Sequence, residues 1–123
     1  MNPGSDTPKL MALGRLALGI AALVFPALTA RLFLLDVRRN PQLTYMTRLF
    51  GIREMAVGAV TLAAPESART SMVGIGLAVD GSDAVAGFAA ARSGIVSKPA
   101  GVVLTGAALA AVAAGGSALA DNR

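Results

Sequence analysis

The chain has 123 residues, 54% of them hydrophobic, a mean hydropathy of +0.64, an aromatic share of 4% and no Trp; that is too apolar for an ordinary soluble domain, and its Ala, Leu, Val and Gly suit close helix packing in lipid. With no Cys and no His, disulfides, thiol nucleophiles, Cys/His zinc sites, histidine-ligated haem and imidazole acid–base chemistry are excluded, so neither metal nor cofactor is expected and chemistry falls to carboxylates, Arg, Tyr, Ser or Thr. The net charge of +4 comes from cations scattered singly or in pairs among apolar stretches, which argues against nucleic acid and for loops facing anionic headgroups.

Residues 1–9 read as a polar tail, bearing Pro and Gly, that is expected to fray. They hold too little positive charge for a secretory signal peptide, and the apolar stretch that follows is one of several. A single membrane domain is expected over residues 10–120, with a polar C-terminal tail at residues 121–123. Leu10 to Phe25 is almost wholly apolar, and reaches the roughly 20 residues needed to cross hydrocarbon only by continuing through Pro26 to Leu28. Arg15 falls near its entrance, where its stem is expected to snorkel to the headgroups as an anchor. Pro26 ends or kinks this helix and suits the first turn of another. Ala27 to Leu35 is short and amphipathic, and predicts an interfacial segment with its Leu pairs and Phe33 in the acyl boundary and Arg31, Arg38 and Arg39 on phosphate.

Asn40-Pro41 predicts a helix start, Asn as N-cap and Pro at the first helical position. The second span then covers residues 41–64 and stops at Pro65. Tyr45, the one Tyr of the chain, suits the interfacial aromatic belt and is also a candidate binding residue. The third span covers residues 70–91 and is rich in Gly and Ala. The fourth, residues 99–120, carries no charge at all, the clearest spanning signal of the four. Gly19-x6-Pro26-x4-Arg31 is echoed by Gly58-x6-Pro65-x3-Arg69, read as two helices that end alike. Four spans place both termini on one face. The loops holding Arg31, Arg38, Arg39, Arg92 and Lys98 are the more cationic, so the positive-inside rule sets them in the cytoplasm.

Ionisable groups in the middle of such spans are costly, by about 3 kcal/mol or more each on insertion scales, and by default are partnered and functional. The second span has its midpoint near Arg53 and the third near Asp80, so antiparallel neighbours bring Arg53, Glu54, Asp80 and Asp83 to one depth. Asp80 and Asp83 are three residues apart and share a helix face, flanked by Gly76 and Gly87, which leave that face bare for close approach. Glu54 lies on the row of Gly51 and Gly58. Arg48 and Arg53 are five apart, roughly 140° around the axis, so they serve different purposes. Arg53 is expected to hold the two aspartates, and Arg48 to pair with Glu54 or reach toward headgroups. Two cations against three carboxylates leave one negative charge in excess, and the simplest remedy in a low dielectric is for one acid to keep its proton, the three titrating as a coupled set.

An apolar first helix ending in Pro26-x4-Arg31-Leu32-Phe33, the run Arg48-Leu49-Phe50-Gly51-Ile52-Arg53-Glu54-x3-Gly58 and two small-residue helices together resemble a family of small four-helix integral membrane proteins catalogued as a domain of unknown function. The resemblance covers most of residues 10–120, and its specific core is Gly51, Arg53, Glu54 and Gly58. It implies fold and membrane placement and no activity.

The expected fold is all-α, a four-helix transmembrane bundle with a short interfacial helix between the first two spans, multi-pass in the cell membrane. Three functions follow from the charge cluster. The first is binding or transport of a small lipophilic or amphipathic molecule, with proton linkage as an option and Asp80 and Asp83 as the titrating pair. The second is cofactor-free acid–base catalysis on a lipophilic substrate, such as epoxide opening, hydration or isomerisation, by Asp80, Asp83, Arg53 and Glu54 with Tyr45 nearby; an Asp-Arg-Asp set of this kind is similar to that of limonene-type epoxide hydrolases, which are soluble and differently folded. The third is a structural subunit of a membrane complex, the charges acting as a clasp that locks helix register. Four short helices enclose little volume, so a homodimer is expected, and Gly106, Ala110 and Ala114 form a stripe suited to a seam or to contact within the bundle.

Overall fold

A computed structural model of the chain describes residues 3–121; Met1, Asn2, Asn122 and Arg123 of the two expected tails lie outside the described residues. All regular structure among the described residues is helical: α1 (Pro3–Val24), α2 (Pro26–Leu32), α3 (Leu43–Ala63), α4 (Glu66–Arg92) and α5 (Lys98–Asp121).

The first helix differs most from expectation. Instead of starting at Leu10 after a frayed tail, α1 starts at Pro3, with Asp6 in its first turn and Pro8 inside it. An acidic side chain in the first turn complements the helix dipole, and Pro3 stands at the first helical position, which suits Pro, whereas Pro8 lies past the first turn and removes one i→i−4 bond. Pro8 is fully buried, so this part of the tail is packed. The apolar stretch of α1 is accordingly Asp6–Val24, whose middle residue is Arg15.

Pro26 opens α2 after a break at Phe25. At the other end of α2 the amide of Leu34 donates to the Arg31 carbonyl and that of Leu35 to the Ala30 carbonyl, the paired bonds of a Schellman motif. Its left-handed position is taken by Leu34, at φ 62°, whereas the same motif closing α4 uses Gly94, at φ 79°. A non-glycine residue there is held at a cost of roughly 1–2 kcal/mol. The resulting elbow turns Phe33 and Leu35 inward while Leu28, Leu32 and Leu34 stay exposed, so Phe33 is not on the outer face as expected. Asn40 does not cap α3. Asn40 and Pro41 form a turn whose carbonyls accept from Leu43 and Thr44, and the helix starts two residues later than Pro41. The link from α3 to α4 is tighter than predicted, Ala64 and Pro65 alone being extended. Ser97 caps α5 through its hydroxyl, which accepts from the Ala100 amide at 3.2 Å.

The four long helices run alternately up and down as two close pairs. In the first, α1 lies against α3 with backbone touching backbone: a Cβ placed on Gly51 would stand 2.7 Å from the Gly19 carbonyl oxygen, and one on Gly58 2.8 Å from that of Ala12. In the second, α5 lies against α4, where Gly101 meets Ala91 and Gly87 meets Thr105. Between the pairs the packing is looser, and this is where the charged residues lie.

Buried apolar positions are small, Ala12, Ala22, Ala30, Ala84, Ala100 and Ala118 with Val73 the largest, while Leu10, Ile52, Val85, Val102 and many like them are exposed. A water-soluble protein buries its large apolar side chains; in lipid, small residues mediate helix contact and large ones face the acyl chains. Among the described residues three helices are long and apolar enough to cross a membrane: α1 over Asp6–Val24, α4 and α5. Arg48, Arg53 and Glu54 interrupt the apolar sequence of α3.

Candidate functional site

Each helix brings its charged residue to the site on a row of small ones. On α3 the buried row is Thr47, Gly51, Glu54, Gly58 and Thr61; on α4 it is Val73, Gly76, Asp80, Ala84 and Gly87. These steps of three and four keep one helix face against its neighbours. Glu54 and Asp80 are therefore carried into the interior by the glycines that bring the backbones together. Asp83 and Arg53 sit on the flanks of the two rows, Asp83 half-buried and Arg53 exposed.

The cation that joins Glu54 to Asp80 is Arg15. Its Nη1 donates to Glu54 Oε1 at 3.2 Å and Oε2 at 3.0 Å. Its Nη2 donates to Asp80 Oδ2 at 2.5 Å and to the Gly76 carbonyl at 3.3 Å. Side-chain exposure is 10% for Arg15, 5% for Glu54 and 6% for Asp80. The missing side chain of Gly76 makes room for this group, since a Cβ there would stand 3.0 Å from Arg15 Nη2. Such charge-assisted, two-sided guanidinium bonding is the form in which a charge is tolerated away from water.

Arg53 forms the second half of the site. Its Nη2 donates to Asp83 Oδ2 at 2.6 Å and stands 3.8 Å from Glu54 Oε1, with the guanidinium 5.2 Å above the ring centre of Phe50. The five side chains thus alternate in sign in the order Asp80, Arg15, Glu54, Arg53, Asp83, a chain shared among three helices. The expected roles change accordingly. Arg53 does not hold both aspartates: it holds Asp83 and flanks Glu54, and Asp80 belongs to Arg15. Arg48 neither pairs with Glu54 nor joins the cluster; its Nε donates to the Leu23 carbonyl at 3.3 Å, satisfying one of the free carbonyls at the end of α1. Tyr45 is 65% exposed and lies away from the cavity described below.

Arg15, expected to be an interface anchor, is the one member of the cluster that sequence reasoning placed wrongly. A start at Leu10 puts it near the end of a span, and the true start at Pro3 puts it at the middle. A signal existed. Carried four residues back, the echo between α1 and α3 aligns Arg15-x3-Gly19-x6-Pro26 with Glu54-x3-Gly58-x6-Pro65, so each charged residue precedes by one turn a glycine at the α1–α3 contact.

The charged chain forms one wall of a cavity of about 570 Å³ between the helix pairs. The other walls are apolar: Met11 and Leu18 from α1, Phe33 from the elbow, Met46 from α3, Leu104 and a row of alanines from α5. Ligand pockets run from about 300 to 1,000 Å³ and combine an apolar lining with a few convergent polar groups. Oxygens of Glu54, Asp80 and Asp83 lie within 4.8 Å of one another, close enough to chelate a cation, but Arg15 and Arg53 already stand between them as counter-ions. No protein-family model, curated protein or solved structure matches the chain.

Proposed function

We propose that the chain is a four-span protein of the cell membrane, built on α1, α3, α4 and α5, that binds and carries a small lipophilic or amphipathic molecule in the cavity between its helix pairs, with proton binding linked to that of the ligand. Kinship with the family resembled through Gly51, Arg53, Glu54 and Gly58 is part of the proposal, as is a homodimer. The observation that carries the reading is the cavity itself, about 570 Å³ of largely apolar space with one charged wall, reaching from the mid-helix charges toward the end of the bundle where α2 lies. Inclusion of α3 as a span is supported by the inward pairing of its central charges: Glu54 is buried against Arg15, and Arg53 lines the cavity beside Asp83. The exposed Leu28, Leu32 and Leu34, with Arg31 close by, support α2 as an interfacial helix.

The clasp and the site are two halves of one chain of charges. Arg15, Glu54 and Asp80 are buried against one another and tie α1, α3 and α4 together, while Arg53 and Asp83 are the more exposed members of the charged wall. Acid–base catalysis on a lipophilic substrate is favoured by one specific feature, the Asp83 carboxylate held beside a guanidinium on an apolar cavity wall, where it could take a proton from a water while Arg53 steadies the developing charge. The test for the binding reading uses the purified protein and Ala108→Phe, which sets a ring into the cavity lining. Native mass spectrometry with the neutral lipophile N-phenyl-1-naphthylamine is expected to give a one-to-one adduct with the unaltered chain and none with Ala108→Phe. An adduct of equal abundance in both, or in neither, would overturn it. Conversion of a lipophilic epoxide, lost in Asp83→Asn, would establish catalysis instead.

A further inference from the structure

The cavity has a sign. Its lining holds three carboxylates, Glu54, Asp80 and Asp83, and two guanidinium groups, Arg15 and Arg53, while α2 and α5 contribute no charged side chain to it. The formal sum is one negative charge in a space bounded by apolar side chains. Resting on the reading of this cavity as a lipophile site, we propose that its occupant is a lipophilic monocation, an organic ammonium or other onium group on a hydrophobic body, whose positive charge is seated against Asp83.

Two of the carboxylates are unavailable. Glu54 uses both oxygens on Arg15, and Asp80 is bound by Arg15 at a side-chain exposure of 6%. Asp83 differs. Its side chain is 31% exposed and lines the cavity, and its one side-chain hydrogen bond among the described residues is made by Oδ2, with Arg53. Phe50 lines the same wall, its ring lying under the Arg53 guanidinium, and adds apolar surface for a hydrophobic body. Met11 and Met46 add polarisable thioethers. An anion entering here meets a net negative field, and a neutral lipophile leaves one carboxylate uncompensated in a low-dielectric space. A monocation completes the balance. The groups facing Asp83 are Arg53 and Glu54 from α3, Arg15 from α1 and Asp80 on its own helix; α2 and α5 present only uncharged side chains.

The experiment is equilibrium dialysis of the full chain in a non-ionic detergent against tetraphenylphosphonium and tetraphenylborate, which share size and shape and differ in sign, with N-phenyl-1-naphthylamine as neutral reference and Ala108→Phe as background. Tetraphenylphosphonium is expected to bind at least about tenfold more tightly than tetraphenylborate. Asp83→Asn is expected to remove this preference, and Asp83→Glu to restore it. Equal binding of the two ions by the unaltered chain overturns the proposal whether or not the variants fold. So does a phosphonium affinity indifferent to Asp83→Asn. A chain that binds the neutral probe and shows no preference for the cation retires the monocation alone, whereas one that binds none of the probes above the Ala108→Phe background retires the lipophile site too.

Discussion

Arg15 meets two carboxylates and one carbonyl with a single guanidinium, and the weight of the fold falls on it. Replacing it by Met keeps the stem and removes the charge, leaving Glu54 and Asp80 buried without their counter-ion. Breaking a buried ionic group in this way costs about 3–5 kcal/mol, while loss of a half-exposed pair costs about 1 kcal/mol or less. Unfolding in detergent is therefore expected to show Arg15→Met strongly destabilised and Arg53→Gln nearly unchanged; equal losses in the two variants would contradict this division. Arg15→Lys is expected to recover little, because one ammonium cannot reproduce the fork that reaches Glu54 and Asp80 together.

At the scale of the helix, the pairing of α1 with α3 depends on glycines that touch backbone. A Cβ on Gly51 would stand 2.7 Å from the Gly19 carbonyl oxygen and one on Gly19 2.6 Å from that of Gly51. Neither oxygen can swing away as a side chain would, so the helices themselves must part. Gly51→Ala is expected to lower the unfolding temperature sharply and to loosen the Arg15–Glu54 pair one turn away. A Cβ added at Gly74 or Gly106 would meet no atom within 4 Å, and Ala is the better helix former by about 1 kcal/mol. Gly74→Ala and Gly106→Ala are thus expected to be neutral or stabilising in the same melts, and a sharp loss in either would show that these faces pack against something further. The helices were largely legible in the sequence, since Pro26, Pro65 and Pro99 and the apolar runs between them mark most boundaries. The start of α1 was not, because Pro3 to Pro8 has the composition of a tail and is held in helix by packing that buries Pro8.

For the molecule as a whole the question is how many times the chain crosses the bilayer. Among the described residues three helices qualify by length and composition, and α3 would be the fourth by virtue of its paired charges. The chain has no Cys, so single cysteines can report sidedness directly. Asn40→Cys and Ser93→Cys are expected to react with an impermeant maleimide from the cytoplasmic side and Ser67→Cys from the other, all three positions being exposed. Labelling of Asn40→Cys and Ser67→Cys from the same side would mean that α3 lies on the membrane and does not cross it.

Hydropathy and punctuation are local properties, and so the all-helical class, the apolar segments and the common level of Arg53, Glu54, Asp80 and Asp83 along neighbouring helices were readable from the residues alone. Which guanidinium meets which carboxylate is another matter. It depends on how far one helix slides along its neighbour and how it is rotated about its own axis, quantities set by the contacts of Gly19 with Gly51 and of Ala12 with Gly58. Sequence spacing reaches only within a helix. The partnership of Arg15 with two acids from other helices, and the open side of Asp83 on a cavity wall, exist only once the two helix pairs have come together.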